Sequence, residues 1–149
     1  MINRSGQTIV EMMLILPVFL GIVFTIMEIG YVSFHVILLN HATYEVARIA
    51  GMTSASSIAG HPPNVDANHL GNVMFHILGN PTASVDCVPE GTLPDPQAQQ
   101  QNYDLICSGR ETIKLVFPIS SLILSSPGGS GLRPLKAVVR MPVEQPLRR

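Results

Sequence analysis

The longest apolar stretch of the chain lies near its N-terminus, between Met12 and Leu39. Glu28 is the only formally charged side chain in this stretch, and Leu, Ile, Val, Phe and Met dominate it. A run of more than about 18 apolar residues can cross roughly 30 Å of hydrocarbon as a helix. Because a lone segment in lipid must satisfy its own backbone hydrogen bonds, we predict a helix that spans a membrane over about residues 12–34.

The helical pattern continues beyond the apolar stretch. Spacings of three, four and three residues place four side chains on one face: Leu39, Ala42, Val46 and Ile49. Gly51 is typical of the position just after a helix C-terminus. We therefore predict one long helix over residues 7–51, with a kink at Pro17 because proline removes a backbone hydrogen bond. Its second half would offer an apolar stripe on which a domain can pack.

The pattern after this helix predicts mixed structure. A second helix is expected from Val65 to Leu78, ended by Gly79. Residues 81–104 are rich in Pro, Gln and Asp, and they are predicted to form a long loop closed by the cysteines.

The C-terminal third changes to a two-residue period. Alternation over 112–117 and 135–141 predicts strands, residues 119–124 continue an extended run, and 125–131 form a flexible turn. The apolar side of such a small antiparallel sheet needs a cover, which the second half of the long helix can supply. The predicted fold class is α+β, with residues 52–149 as a head domain packed on the long helix.

Composition excludes some functions and suggests a disulfide. The chain has 149 residues, a formal net charge of -1 and only 13% charged residues. No basic surface is available for nucleic acid, so nucleic acid is not an expected partner. Cys87 and Cys107 are too few for a structural zinc site. We predict a disulfide between them in an oxidising compartment, with two free thiols as the alternative.

The sequence offers no metal site and no catalytic residue that we would defend. His69 and His76 are seven positions apart and His61 lies upstream, whereas metal-binding pairs on a helix usually lie three or four positions apart. Solvated histidines are therefore favoured. No nucleophile elbow, P-loop, HExxH or dinucleotide-binding fingerprint is present. We predict that the protein is not an enzyme and has no cofactor.

Residues 1–6 form a short polar leader whose only charge is Arg4, and Gly6 and Glu11 stand directly before the apolar helix. This arrangement resembles the class III (type IV prepilin-like) signal, in which the leader ends in Gly and the fifth mature residue is Glu. The resemblance implies cleavage between Gly6 and Gln7 by a prepilin peptidase. It also implies that Glu11 pairs with the free N-terminal amine of a neighbouring subunit. The alternative is an incidental glutamate at the lipid boundary of a signal anchor.

A longer stretch, reaching to Ala50, resembles the TadE-like family of the tight-adherence (Tad/Flp) pilus machinery. The positions that match the family pattern are Gln7, Glu11, Pro17, Glu28, Ala47 and Arg48. Met12 departs from the Tyr that follows the Glu in the small major Flp pilins. The resemblance therefore implies a minor pilin or pseudopilin with a type IV pilin-like fold.

Glu28 is, with Pro17, a further candidate for inter-subunit assembly. An acidic residue inside a membrane is by default a functional group or a contact between helices. The alternative places Glu28 at the outer lipid boundary, and the sequence leaves both interpretations open.

The resemblance implies a structural function. The chain would insert once into the bacterial inner membrane, with its N-terminus cytoplasmic and its C-terminal domain extracytoplasmic. It would then assemble into, or prime, a pilus for adhesion. Its partners would be other pilin or pseudopilin subunits, the prepilin peptidase, the inner-membrane assembly platform and membrane lipid. The alternatives are a major pilin and a signal-anchored envelope domain that does not polymerise.

Overall fold

The computed structural model describes residues 4–54, 64–92, 103–117 and 131–143. In chain order it contains α1 (Arg4–Ser54), α2 (Ala67–Leu78), β1 (Ser84–Gly91), β2 (Tyr103–Lys114) and β3 (Leu132–Pro142). The predicted α+β fold, a long N-terminal helix with a small antiparallel sheet, is confirmed. The chain divides into two compact units. The first comprises Met1–Phe34 and Ile113–Arg133, and the second comprises His35–Thr112 and Pro134–Arg149.

Helix α1 is longer at both ends than the sequence predicts. It begins at Arg4, continues through Pro17 and ends at Ser54. Gly51 is therefore not the residue after the helix, and that prediction is wrong. Gly51 is buried within the last turn, where an added Cβ would meet only the Pro142 carbonyl oxygen, at 3.7 Å. Gly51 therefore lies inside the helix, where the last turn packs beside the end of β3 at ordinary van der Waals distance.

The second unit holds most of the buried apolar residues. Helix α1 contributes the predicted stripe, in which Leu39, Ala42 and Val46 are buried and Ile49 is half-buried. The other buried apolar side chains of this unit come from α1, α2, β2 and β3: Ala47, Ala50, Leu70, Met74, Leu105, Cys107, Leu135 and Ala137. Burial of this set removes apolar surface from water and stabilises the unit.

Helix α2 begins at Ala67 rather than at the predicted Val65, because Asp66 is its N-cap. The Asp66 carboxylate accepts hydrogen bonds from the Asn68 and His69 backbone N–H groups. At the other end Gly79 has φ 63° and donates its N–H to Phe75 O, so the predicted end of the helix is confirmed.

The sheet has the order β1-β2-β3. Strands β1 and β2 pair antiparallel, from Ser84 opposite Arg110 to Gly91 opposite Tyr103. Hydrogen bonds from Leu115 N to Gly131 O and from Val143 N to Tyr103 O join β2 and β3 at opposite ends, which is an antiparallel register. The predicted alternation in β3 is confirmed, with Leu135 and Ala137 buried.

The prediction of a loop over residues 81–104 is wrong at two places, because β1 occupies Ser84–Gly91 and β2 begins at Tyr103. Pairing with β2 outweighs the weak strand propensity of a segment that contains Pro89. The predicted disulfide is confirmed: Cys87 and Cys107 are opposite each other in the register and are bonded. With a sequence separation of 20 residues, it stabilises by roughly 3 kcal/mol. The predicted extended run at 119–124 lies outside the described residues.

Candidate functional site

The first part of α1 presents a continuous apolar surface. Every Leu, Ile, Val, Met and Phe from Ile9 to Leu20 is at least 40% exposed. These side chains point to all sides of the helix, since they occupy nearly every consecutive position. By length and composition, the helix from Gly6 to Ser54 is the one among the described residues that could cross a membrane. Among the residues that the structure describes, none covers this surface.

The predicted cleavage and assembly residues lie at the start of this surface. Gln7 Nε2 donates a hydrogen bond to Glu11 Oε1 at 3.2 Å, so the two side chains meet across one helical turn. Both residues are exposed, and so is Pro17 one and a half turns further along. An added Cβ on Gly6 would meet nothing within 4 Å. Within the described ranges, no other element packs against these residues at the start of the helix.

Glu28 is in a different environment, because it is completely buried. Glu28 Oε1 accepts a hydrogen bond from the Val116 N–H and Oε2 accepts one from the Phe117 N–H, both at 2.9 Å. One helical turn earlier, the ring of Phe24 stacks on that of Phe117 with centroids 5.0 Å apart. Helix α1 thus presents an aromatic ring and a carboxylate to Val116 and Phe117, the second and third residues after β2.

Sequence reasoning selected Glu28 but missed Val116 and Phe117. These residues are 88 and 89 positions away, and nothing in the local pattern joins them to the helix. Both interpretations of Glu28 placed its surroundings outside the chain, in a neighbouring helix or at the lipid boundary. Within the chain both carboxylate oxygens already accept hydrogen bonds, so a neighbouring subunit would have to share or displace them. The inter-subunit role of Glu28 remains a prediction.

A second buried carboxylate, also missed, lies in the other unit. Glu111 is 2% exposed, and its Oε1 accepts a hydrogen bond from Asn80 Nδ2 at 2.8 Å. His35 Nδ1 lies 3.4 Å from the same oxygen. Glu111 Oε2 has no hydrogen-bond partner within the residues that the structure describes. The only sequence signal was the alternation of β2, which places position 111 on the buried face with 113 and 115.

Two of the three histidines considered for a metal site lie within the described residues. His69 and His76 are exposed on α2, His76 packs against the ring of Phe75, and His61 lies outside the described residues. Over the described ranges, no three His, Cys, Asp or Glu side chains are grouped so that they could hold a metal ion.

One comparison with known proteins gives a match. Residues 6–48 match the family described as TadE-like protein. The matched segment lies entirely within α1 and contains each of the six positions on which the resemblance depends. Comparisons with curated proteins and with solved structures found no match.

Proposed function

We propose that this chain, whose residues 6–48 form a TadE-like domain, is a minor pilin or pseudopilin of a tight-adherence pilus. In this proposal a prepilin peptidase cleaves between Gly6 and Gln7 after the chain has entered the inner membrane. The head then lies outside the cytoplasm. The mature subunit leaves the bilayer by packing α1 against the helices of neighbouring subunits, and so becomes part of the pilus or primes its assembly.

The observation that carries the proposal is the exposed apolar surface of residues 9–20 at the start of the family-matched segment. Large side chains on all sides of a helix are not stable in water, because their burial in an apolar environment is strongly favourable. Lipid provides that environment before assembly, and neighbouring helices provide it afterwards. Gly21 supports close helix packing, since an added Cβ there would meet nothing within 4 Å.

Glu11 gives assembly its specificity in this proposal. A carboxylate near the lipid boundary is costly to desolvate without a cation. The hydrogen bond that it accepts from the neutral Gln7 amide leaves its charge uncompensated. Cleavage before Gln7 creates an N-terminal ammonium group, and the same group on a neighbouring subunit can pair with Glu11. This ion pair would stabilise one register between neighbouring subunits over the others.

The mass of the mature N-terminus tests the processing step. A purified protein that begins at Gln7 supports the proposal. A protein that keeps Met1 contradicts it and favours a signal-anchored domain. The copy number of the chain in sheared filaments then separates a minor subunit from a major one.

Substitution of Glu11 tests the assembly step. Glu11→Gln retains an oxygen for the Gln7 hydrogen bond but removes the charge, so we expect normal membrane insertion and at least a tenfold loss from sheared filaments. Glu45→Gln is the matched control on the same helix and should leave incorporation unchanged. Normal incorporation of the Glu11→Gln protein would show that the charge pair is not needed.

A further inference from the structure

We infer that the lipid-facing part of α1 ends between Leu20 and Phe24, and that Glu28 lies at the outer surface of the bilayer. There its carboxylate binds the backbone N–H groups of Val116 and Phe117, just after β2. The partner is the lipid bilayer itself, with hydrocarbon around residues 9–20 and headgroups around 24–28. This inference rests on the proposed membrane insertion. It places the outer boundary well before residue 34, where the hydropathy pattern alone had put it.

The first argument is the change in exposure along α1. From Ile9 to Leu20 every apolar side chain is exposed, on all sides of the helix. Beyond Leu20 one side becomes covered, because Gly21 and Val23–Thr25 are half-buried and Glu28 is fully buried, while Ile26 and Ile29 remain exposed on the other side. Lipid can surround a helix on all sides only where the protein's own residues do not cover it. On the covered side, cover begins about one turn before Glu28, with the stacking of Phe24 on Phe117.

The second argument concerns the backbone that Glu28 binds. The Leu115 N–H continues the sheet by donating to Gly131 O at 2.8 Å, but the next two N–H groups donate to the Glu28 carboxylate. Irregular backbone at membrane depth is tolerated only where its hydrogen bonds are satisfied within the protein. Glu28 accepts hydrogen bonds from both the Val116 and the Phe117 N–H groups, so this backbone can lie near the lipid surface with these two donors satisfied.

The third argument is the charge next to this backbone. Lys114 is exposed and precedes Val116 by two residues, a strand distance of roughly 7 Å. An ammonium group is costly in hydrocarbon but favourable among headgroups. If the hydrocarbon extended to residue 34, Glu28, Val116 and the nearby Lys114 would all lie inside it. A boundary before Glu28 removes that conflict.

The remaining length is sufficient for a span. From Gln7, the first residue of the mature chain in the proposed function, to Val23 the helix rises by about 24 Å. This is a few Å less than the roughly 30 Å of a hydrocarbon core, a difference that local thinning of the bilayer accommodates. Glu11 then lies about 6 Å beyond Gln7, near the inner surface, where the proposed ammonium partner compensates its charge, and Thr25 lies at the outer surface.

Cysteine labelling of the full-length chain in membranes tests the boundary. The two native cysteines are bonded to each other, so one added cysteine is the only free thiol. Ile15→Cys and Ile29→Cys replace the same residue type at exposed positions, and Val138→Cys on β3 is the control in the head. A membrane-impermeant maleimide, applied from the extracytoplasmic side, should label Ile29→Cys within about threefold of Val138→Cys. Ile15→Cys should react at least tenfold more slowly.

The outcomes distinguish this inference from the proposed function. Protection of Ile29→Cys to the level of Ile15→Cys would overturn the boundary while leaving membrane insertion intact. Rapid labelling of Ile15→Cys would instead overturn membrane insertion, and with it the proposed function.

Amide exchange in lipid nanodiscs tests the part played by Glu28 as a positioning residue. Glu28→Ala should speed exchange of the Val116 and Phe117 N–H groups at least tenfold, whereas the Leu115 N–H, which donates to Gly131, is the internal control and should change less than twofold. Glu28→Gln retains one carbonyl oxygen and should give an intermediate effect. Unchanged exchange at Val116 and Phe117 in the Glu28→Ala protein would contradict the assignment.

Discussion

Helix α1 uses apolar residues in two opposite ways along its length. Over residues 9–20 every Leu, Ile, Val, Met and Phe is at least 40% exposed, while Leu39, Ala42, Val46, Ala47 and Ala50 are at most 1% exposed. The first stretch is apolar on all sides. The second alternates its apolar face with exposed polar residues such as Asn40 and Arg48. A one-sided face can be covered by the chain's own head, whereas an all-round apolar surface needs an external environment.

Side-chain size separates the two stretches as well. The first carries large residues almost throughout, but three of the five buried apolar residues of the second are alanines. Small residues let other elements approach closely, as at Thr43, whose side chain lies against Gly109 of β2. Large apolar residues on all sides of a helix suit contact with lipid or with neighbouring helices. In the proposed assembly the first stretch therefore moves from lipid to neighbouring helices, whereas the second stays packed within its own unit.

Among the described residues each unit also buries one carboxylate, and the two are held differently. Glu28 accepts hydrogen bonds from two backbone N–H groups, whereas Glu111 accepts one from the side chain of Asn80. A side-chain substitution at Val116 or Phe117 leaves the backbone N–H donors to Glu28 in place. A substitution that removes the Asn80 amide also removes the hydrogen bond to Glu111. Glu28 is thus the more robustly satisfied of the two.

The largest expected contrast is between two Leu→Ala substitutions on α1. Leu39→Ala removes a side chain that is 1% exposed, so we expect a loss of about 2–5 kcal/mol in the free energy of unfolding. Leu16→Ala is the matched control: Leu16 is 56% exposed, and the loss should be small. Urea denaturation of the full-length protein in detergent, followed by circular dichroism, measures both. Equal losses of unfolding free energy in the two proteins would mean that Leu16 is as buried within the protein as Leu39.

A glycine in the sheet tests how closely the covered stretch is packed. Gly109→Ala would bring a Cβ into overlap with Thr43 Oγ1, and Thr43 is fixed by its hydrogen bond to Leu39 O at 2.7 Å. We expect a loss of about 2–3 kcal/mol in the free energy of unfolding. The same denaturation assay measures it.

Two further proteins control this result. Gly71→Ala on α2 has open space around the new Cβ, so it should stabilise by about 0.5–1 kcal/mol because alanine favours the helix. Thr43→Ala in the Gly109→Ala background should recover part of the loss. If Gly109→Ala behaved like Gly71→Ala, the close packing of α1 on β2 would be wrong.

Local periodicity was enough to predict the helices and the last strand. The three-and-four spacing of Leu39, Ala42 and Val46 and the two-residue alternation of Leu135 and Ala137 each identify a buried face. It was not enough for β1, whose Asp86, Pro89 and Glu90 have low strand propensity. This strand is held by its pairing with β2, which places Cys87 opposite Cys107. Such long-range pairing cannot be read from a short stretch of sequence.

The site shows the same limit. Apolar flanks were sufficient to select Glu28 as a costly carboxylate, and the Gly6-to-Glu11 spacing was sufficient to select the start of the helix. The partners of Glu28 come from residues more than 80 positions later and are backbone groups, which carry no sequence signal. Glu111 was missed because one acidic residue in an alternating strand does not differ in pattern from an exposed one.

The smallest expected effect concerns the way in which Glu111 is held. Asn80→Ala removes the 2.8 Å donor to a carboxylate that is 2% exposed, so we expect a loss of roughly 1–2 kcal/mol in the free energy of unfolding. Asn72→Ala, at an exposed position on α2, is the matched surface control and should have little effect. Both are measured by the same urea denaturation.

Asn80 has a second role that the experiment must separate. Its Oδ1 also accepts hydrogen bonds from the backbone N–H and the hydroxyl of Thr82, at 3.1 and 2.9 Å. Asn80→Asp retains both of these acceptor contacts but replaces the donor to Glu111 with a second carboxylate oxygen. If support of Glu111 is what matters, Asn80→Asp should be at least as destabilising as Asn80→Ala at neutral pH, because two carboxylates then face each other. Near-normal stability of the Asn80→Asp protein would assign the effect to the turn, and the buried carboxylate of the second unit would then not depend on one side chain.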